Sequence, residues 1–404
     1  MSGSFWKWAA AGQRMKTHIG RAEVQCNDAG GMGHSIPFCG MLMISFNWLS
    51  LRFWSVNFFF MNHMLTTIKS RMRVHSAWMI TFLTCSMFLS SVVAKGWVKY
   101  EGRKGPGKNK HIVFITGDEE YRSEEAMPMM GKILSLRHGF DCTVLFAMDD
   151  ATGTIDPDNQ TNIKGMHFIK DADLVVLFTR FRELPDDQMK YFVDHLEGGK
   201  PVIGLRTSTH AFSYTRNKAS EYAHFHWQSK GWEGGFGQQV LGDTWVNHHG
   251  HHGQESTRGV IEGRHQSHPI LTGVKDVWGP TDVYGMAHLP DDISVLLHGL
   301  TLNGMKSDSL PNYDKPLMPV AWVREHNGKH GELNRIFCST MGAATDLESA
   351  DLRRLLVNAC YWGLGMEDLI SADSSVAYVG EYHPTPFGFG KFVRGVKPES
   401  HALK

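Results

Sequence analysis

Between residues 111 and 205, short apolar runs alternate with stretches of helical period, and few folds accept that alternation. Residues 111–116, 141–148, 174–178 and 201–205 read as strands that are apolar nearly throughout. Between them, Met129, Met130, Ile133, Leu134 and Leu136 keep helical spacing, with Pro128 in the first turn and His138-Gly139 at the end. Residues 185–196 form a second helix, closed by Gly198-Gly199. Strands without a polar face must be covered on both sides, which calls for parallel pairing through right-handed crossovers. The expected class is therefore α/β, a doubly wound, mainly parallel sheet with helices on both faces. Further strand candidates lie at 259–262, 294–297, 318–323 and 335–339, followed by a long helix at 347–364. Residues 371–404, rich in Pro, Gly and aromatics, read as an extended tail over a domain spanning 111–370.

The 41 basic and 41 acidic side chains of the 404-residue chain cancel. Neither a nucleic acid nor an electrostatically held membrane surface is implied as a partner. Residues 1–94 differ from the rest, being rich in Met, Phe, Trp and Ser without regular period. Within them Arg71, Arg73 and His75 precede an apolar run at 77–89 and the small residues at 90–94, the pattern of a secretory signal. That reading makes 72–94 a signal peptide starting at Met72, leaves 1–71 outside the mature protein, and makes 95–110 a linker. The product is then exported, periplasmic or secreted, with no stable membrane span. The alternative is an apolar anchor at 38–60, interrupted by Asn47, Arg52 and Asn57. Of six cysteines, Cys142, Cys338 and Cys360 survive such cleavage and read as small apolar core groups.

Strand ends of an open α/β sheet converge on one crevice. Here they would deliver Asp118, Glu119, Glu120, Tyr121 and Arg122 from the first, Arg180 from the third, and Arg206 and His210 from the fourth. Such mixed charge suits a polar ligand and acid–base work, though ordinary ion pairs and caps use the same residues. Residues 213–245 carry aromatics, among them Trp227 and Trp232, whose faces suit sugar rings or simply pack a long loop. The run Asn247-His248-His249-Gly250-His251-His252 is the least ordinary composition in the chain. In an extended segment His249 and His251 share one side, so the pair could chelate a divalent, zinc-like ion, with His248 beside it. A further ligand would come from His210, His224, His226, His265 or His268. The histidines serve equally as proton shuttles or as walls for hydroxyl-rich ligands. Asp282, followed by Val283 and Tyr284, could orient a histidine or cap a turn.

As a series these parts resemble the ThuA-like, or trehalose-utilisation, family, of class I glutamine amidotransferase-like fold. The first strand with its Gly117 turn, Pro201-Val202-Ile203-Gly204-Leu205, His268-Pro269-Ile270 and Asp282-Val283-Tyr284 carry the resemblance. Pro319-Val320-Ala321-Trp322, Arg335-Ile336-Phe337 and Arg353-Arg354-Leu355-Leu356 extend it, and four strands by residue 205 suffice for a flavodoxin-like half. The tail, with Val379-Gly380-Glu381-Tyr382-His383-Pro384, is similar to exported planctomycete-type members. Two departures stand out. Arg206 follows Gly204-Leu205 where family members commonly have His and amidotransferases a cysteine, and Ala343 follows Gly342 where a His is common. The resemblance implies carbohydrate processing, including that of keto-disaccharides, without a cysteine nucleophile. His210 and one of His249 or His251 would be acid–base or metal-ligating groups, with Arg206 and Glu119 orienting the substrate and Asp282 a further catalytic group. Asp118, Glu120, Tyr121, Arg122, Arg180, Trp227, Trp232 and Tyr284 would bind it. A non-catalytic carbohydrate-binding or interaction domain is the alternative.

Overall fold

The computed structural model describes residues 95–403. The readings for 1–71, 72–94 and 38–60 lie outside the described residues.

Five strands run parallel at the centre of a ten-stranded sheet: β2 (His111–Gly117), β3 (Asp141–Leu145), β6 (Leu174–Thr179), β7 (Val202–Leu205) and β14 (Leu333–Ser339). Their spatial order is β3-β2-β6-β7-β14. Taken in chain sequence this is 2-1-3-4-5, so the winding reverses between β2 and β6 and opens a crevice above their carboxyl ends. Beyond β14 the sheet continues antiparallel through β13 (Met318–Asn327), β12 (Ser294–Leu302), β9 (Ser256–Ile261) and β10 (Val277–Gly279). The far edge is β1 (Trp97–Tyr100), antiparallel to β3. This corrects the linker expected at 95–110. Val98 and Tyr100 alternate inward there, a four-residue signal too short to separate from loop. Two small ribbons complete the strands, β4 (Met148–Asp149) with β5 (Thr154–Ile155) and β8 (Asn247–His248) with β11 (Tyr284–Gly285).

Alternate residues of each central strand enter opposite cores. Ile112 and Phe114 face one layer with Met127, Met130 and Leu134 of α1 (Ser123–His138) and Leu352, Leu355 and Leu356 of α3 (Ala350–Gly363). Val113 and Ile115 face the other layer with Met189, Phe192 and Leu196 of α2 (Asp186–Glu197). Each such buried side chain contributes roughly 1.5–3 kcal/mol relative to exposure. The α/β class with helices on both faces therefore follows from the strand pattern.

Helix α1 starts five residues before Pro128, which lies inside it rather than in its first turn. Packing of Ala126 and Met127 into the core outweighs the lost amide at Pro128. Its entry residue, Arg122, takes a left-handed conformation with φ 61°. The tail runs in extended form across the α1 side of the molecule. Tyr382 donates to the Ala344 carbonyl at 2.7 Å, and Val396 accepts from the Ile155 amide at 2.8 Å. Among the described residues no helix is long and apolar enough to cross a membrane.

Candidate functional site

Among the described residues four non-glycine residues have positive φ, and three of them stand in the loops that follow β2, β6 and β7: Arg122 at 61°, Phe181 at 52° and Arg206 at 46°. Each costs about 1–3 kcal/mol and persists only where surrounding contacts enforce it, a pattern concentrated at functional sites. The three loops meet at the crevice.

The loop after β2 is built around Asp118, which is fully buried. Its Oδ1 accepts the amides of Glu120 (2.7 Å) and Tyr121 (2.6 Å), and its Oδ2 accepts the Thr207 hydroxyl. With its oxygens committed inward, Asp118 shapes the loop instead of binding substrate as expected. Arg122 is likewise turned away. It donates to the Glu119 carbonyl, the Thr385 hydroxyl and the Gly388 carbonyl, clamping the tail. Glu119 sits between the Arg180 and Arg182 guanidiniums, the latter 2.8 Å away and fully buried. It therefore anchors Arg180 and does not reach out to a substrate.

The turn after β7 holds Arg206 completely buried. Its guanidinium donates to the carbonyls of Asp282 and Thr340, both at 2.8 Å, to the Tyr121 hydroxyl at 3.1 Å and to Asp282 Oδ1 at 3.0 Å. It also lies 3.9 Å from the Tyr284 ring centre and 4.4 Å from that of Tyr121. A cation so enclosed fixes its neighbours but cannot contact a ligand. Tyr121 and Tyr284 are consumed as its walls. The expected substrate role of all three is thus corrected to support.

What Arg206 supports is Asp282. Burial alone would raise the Asp282 carboxyl, but Arg206 and two histidines hold it well below the usual carboxylate range. His248 Nδ1 lies 2.6 Å from Oδ2 and His252 Nδ1 3.1 Å from Oδ1. His252 Nε2 faces Glu120 Oε1 at 3.3 Å. The Asp282 hydrogen bond, opposed by partial burial and reinforced by Glu120, raises the His252 pKa. Glu120 is itself raised, by burial first and by Asp118 next. Both imidazoles keep about a third of their surface exposed, so the pair is reachable while its carboxylate is not.

His249 and His251 are not brought into this cluster. His249 Nε2 bonds the Pro316 carbonyl at 3.0 Å, and the exposed His251 precedes a turn whose amides at 254 and 255 both bond its carbonyl. The alternation failed because the chain is extended only through β8. It then wraps tightly around Asp282 and Val283 at Gly250, where a Cβ would stand 3.0 Å from that of Asp282. The bend sets residues 248 and 252 on either side of the carboxylate. Ligand atoms of His248, His252 and Asp282 lie within 4.8 Å of one another, so this trio replaces the predicted pair as the set able to hold a metal. A divalent ion there would, however, meet Arg206 at the same carboxylate. Glu119 is already paired with Arg180 and Arg182, Glu120 lies near Arg180, and Asp282 is paired with Arg206.

His210 is buried among the rings of Phe181 (5.1 Å between centres), Trp245 (5.4 Å), Tyr284 (6.1 Å) and Trp227 (6.4 Å). Burial and then Arg180 push its pKa far down, so it is neutral and part of an aromatic wall. Trp227 belongs to that wall, in tilted ring contact with Phe181 and Trp245. The Trp245 indole N–H has no partner. Trp232 does not belong. It packs on Phe225 and His224 beside a separate cavity of about 440 Å³ on the α2 side. The cysteines 142, 338 and 360 are free and buried.

Sequence reasoning left His252, Trp245 and Phe181 out of the site. The four-histidine run was the sequence signal for His252, whereas its partner Asp282 lies 30 residues away and nothing local marked Phe181.

A family model described as ThuA, trehalose utilisation, matches residues 112–363. Similar solved structures include a ThuA-like protein from Bacteroides uniformis, 15% identical with a TM-score of 0.41, covering 64% of this chain and 92% of that one. Another, from Parabacteroides merdae, is 14% identical with a TM-score of 0.42 and covers 73% and 99%. No curated protein matches the chain.

Proposed function

The chain belongs to the trehalose-utilisation (ThuA) family, and from that premise we propose that it binds and transforms a carbohydrate of disaccharide or keto-disaccharide type by proton transfer. One observation carries the reading: two accessible imidazoles share a single buried carboxylate, Asp282, that Arg206 keeps ionised. Nδ1–H donation to Asp282 leaves a lone pair on His248 Nε2, which makes His248 the base. His252, held between Asp282 and Glu120, is the acid in its cationic form. A keto-sugar offers acidic C–H groups beside its carbonyl, the chemistry such a pair suits. The aromatic wall of Trp227, Trp245 and Phe181 supplies faces for sugar C–H groups. Covalent cysteine chemistry does not fit, since Arg206 occupies the elbow after β7. The scaffold is read as an amidotransferase-like layout put to other use, in an exported protein.

The test incubates the full chain with trehalose and with its keto derivative and follows products by NMR. Turnover that His248→Ala and His252→Ala each abolish supports the proposal. Binding without any product favours the non-catalytic alternative, and neither binding nor product overturns the reading.

A further inference from the structure

The family match ends at residue 363, yet the site does not. Tail residues 385–388 are fixed against the loop after β2 and the first turn of α1 by five hydrogen bonds. The Thr385 amide and hydroxyl each reach Glu125 at 2.7 Å, and the Gly388 amide donates to the Glu120 carbonyl at 2.8 Å. Arg122 binds Thr385 at 3.1 Å and the Gly388 carbonyl at 2.6 Å. Gly388 (φ 131°) and Gly390 (φ 66°) flank Phe389 with backbone conformations that a side chain would resist. The result is a rigid turn that presents two rings.

Phe387 packs on Tyr121 at 5.6 Å and on His252 at 5.3 Å between ring centres. Phe389 is 57% exposed, and its one ring partner is the Arg180 guanidinium at 4.8 Å. Arg180 also lies over the Phe181 ring at 4.4 Å. From Phe181 the contacts pass through His210 to Trp245, then to His248 at 5.7 Å and His252 at 4.9 Å. They return to Phe387. The tail thus places Phe387 and Phe389 at the two ends of a chain of ring contacts that runs through the histidine pair. Leaving an aromatic ring in water while anchoring its backbone so firmly makes sense if another apolar face covers it.

Resting on the carbohydrate reading above, we infer that Phe387 and Phe389 are ligand-contacting residues, and that Phe389 receives the second ring of a two-ring sugar. The tail then selects disaccharides over monosaccharides.

The probes are trehalose, its keto derivative and glucose, titrated against the full chain by saturation-transfer NMR and by tryptophan fluorescence. Because Phe389 is exposed, Phe389→Ala should fold and melt like the parent. It should weaken the preferred two-ring sugar about tenfold, the loss of one ring-stacking contact, and change glucose by less than about twofold. Equal weakening of all sugars, or none, overturns the specificity proposal and leaves the carbohydrate reading standing. A parent chain silent to all three sugars overturns both.

Discussion

Asp282 accepts from one buried guanidinium and two exposed imidazoles, so its neighbours report on each other when any one is changed. Arg206→Met leaves the Asp282 charge buried without its partner, and unfolding in urea should show a loss of about 3–5 kcal/mol. Lysine is not expected to rescue it, because a single ammonium cannot reach two carbonyls, a hydroxyl and a carboxylate while stacking on Tyr284. His252 makes stability depend on pH with a definite sign. Its pKa is raised in the folded chain, so its contribution is fully present below about 6.5 and fades as pH rises through the raised value. The melting-temperature gap between the parent chain and His252→Gln should therefore be widest near pH 6 and narrow toward pH 9. A gap that grows with pH would reverse the assignment.

At the scale of elements, the three strained loops depend on neighbours far away in sequence. The wide helical turn Gly237–Leu241 lies under the turn after β7, and a Cβ on Gly237 would stand 2.0 Å from the Thr209 carbonyl oxygen. Gly237→Ala must push the backbone that carries His210. A loss of about 1–3 kcal/mol and a disturbed Trp245 fluorescence are expected, checked by thermal melts and emission spectra. The central strands and helices α1, α2 and α3 were legible in the sequence from their apolar residues, although α1 starts five residues before Pro128. The loops after β2, β6 and β7 were legible as positions, since strand ends of such sheets face one crevice. Their roles were not. Whether Arg206 touches a ligand or lies buried depends on Tyr121, Tyr284 and Asp282 arriving from other elements, and no local pattern encodes that. The histidine run misled for a related reason, as the bend at Gly250 comes from contact with residues 282–283 and not from its own composition.

For the molecule as a whole, the tail is a structural member as well as a rim of the site. Its own Val376 and Phe392 are buried, the Tyr100 hydroxyl donates to the His401 carbonyl at 2.8 Å, and His401 stacks on Phe146. Ending the chain at residue 370 removes these residues and uncovers the surfaces they pack on. From Val376 and Phe392 the cost is roughly 3–6 kcal/mol, an upper figure because unfolded chains already bury some of that area. Urea midpoints of the truncated and full chains check it, and an unchanged midpoint would mean that the tail is only draped. The same contacts link the edge strand β1, the parallel centre and the histidine cluster, so the site is assembled by the full 95–403 fold.

The central claim is that Asp282 organises His248 and His252 into a proton-transfer pair that meets a sugar. It is tested most directly by imidazole ¹⁵N NMR of the full chain across pH, with and without trehalose or its keto derivative. The expected result is a His252 that titrates above about 6.5, falls when Asp282→Asn removes the carboxylate, and shifts on adding sugar. A His252 that titrates at the ordinary value and ignores both the substitution and the sugars would contradict it.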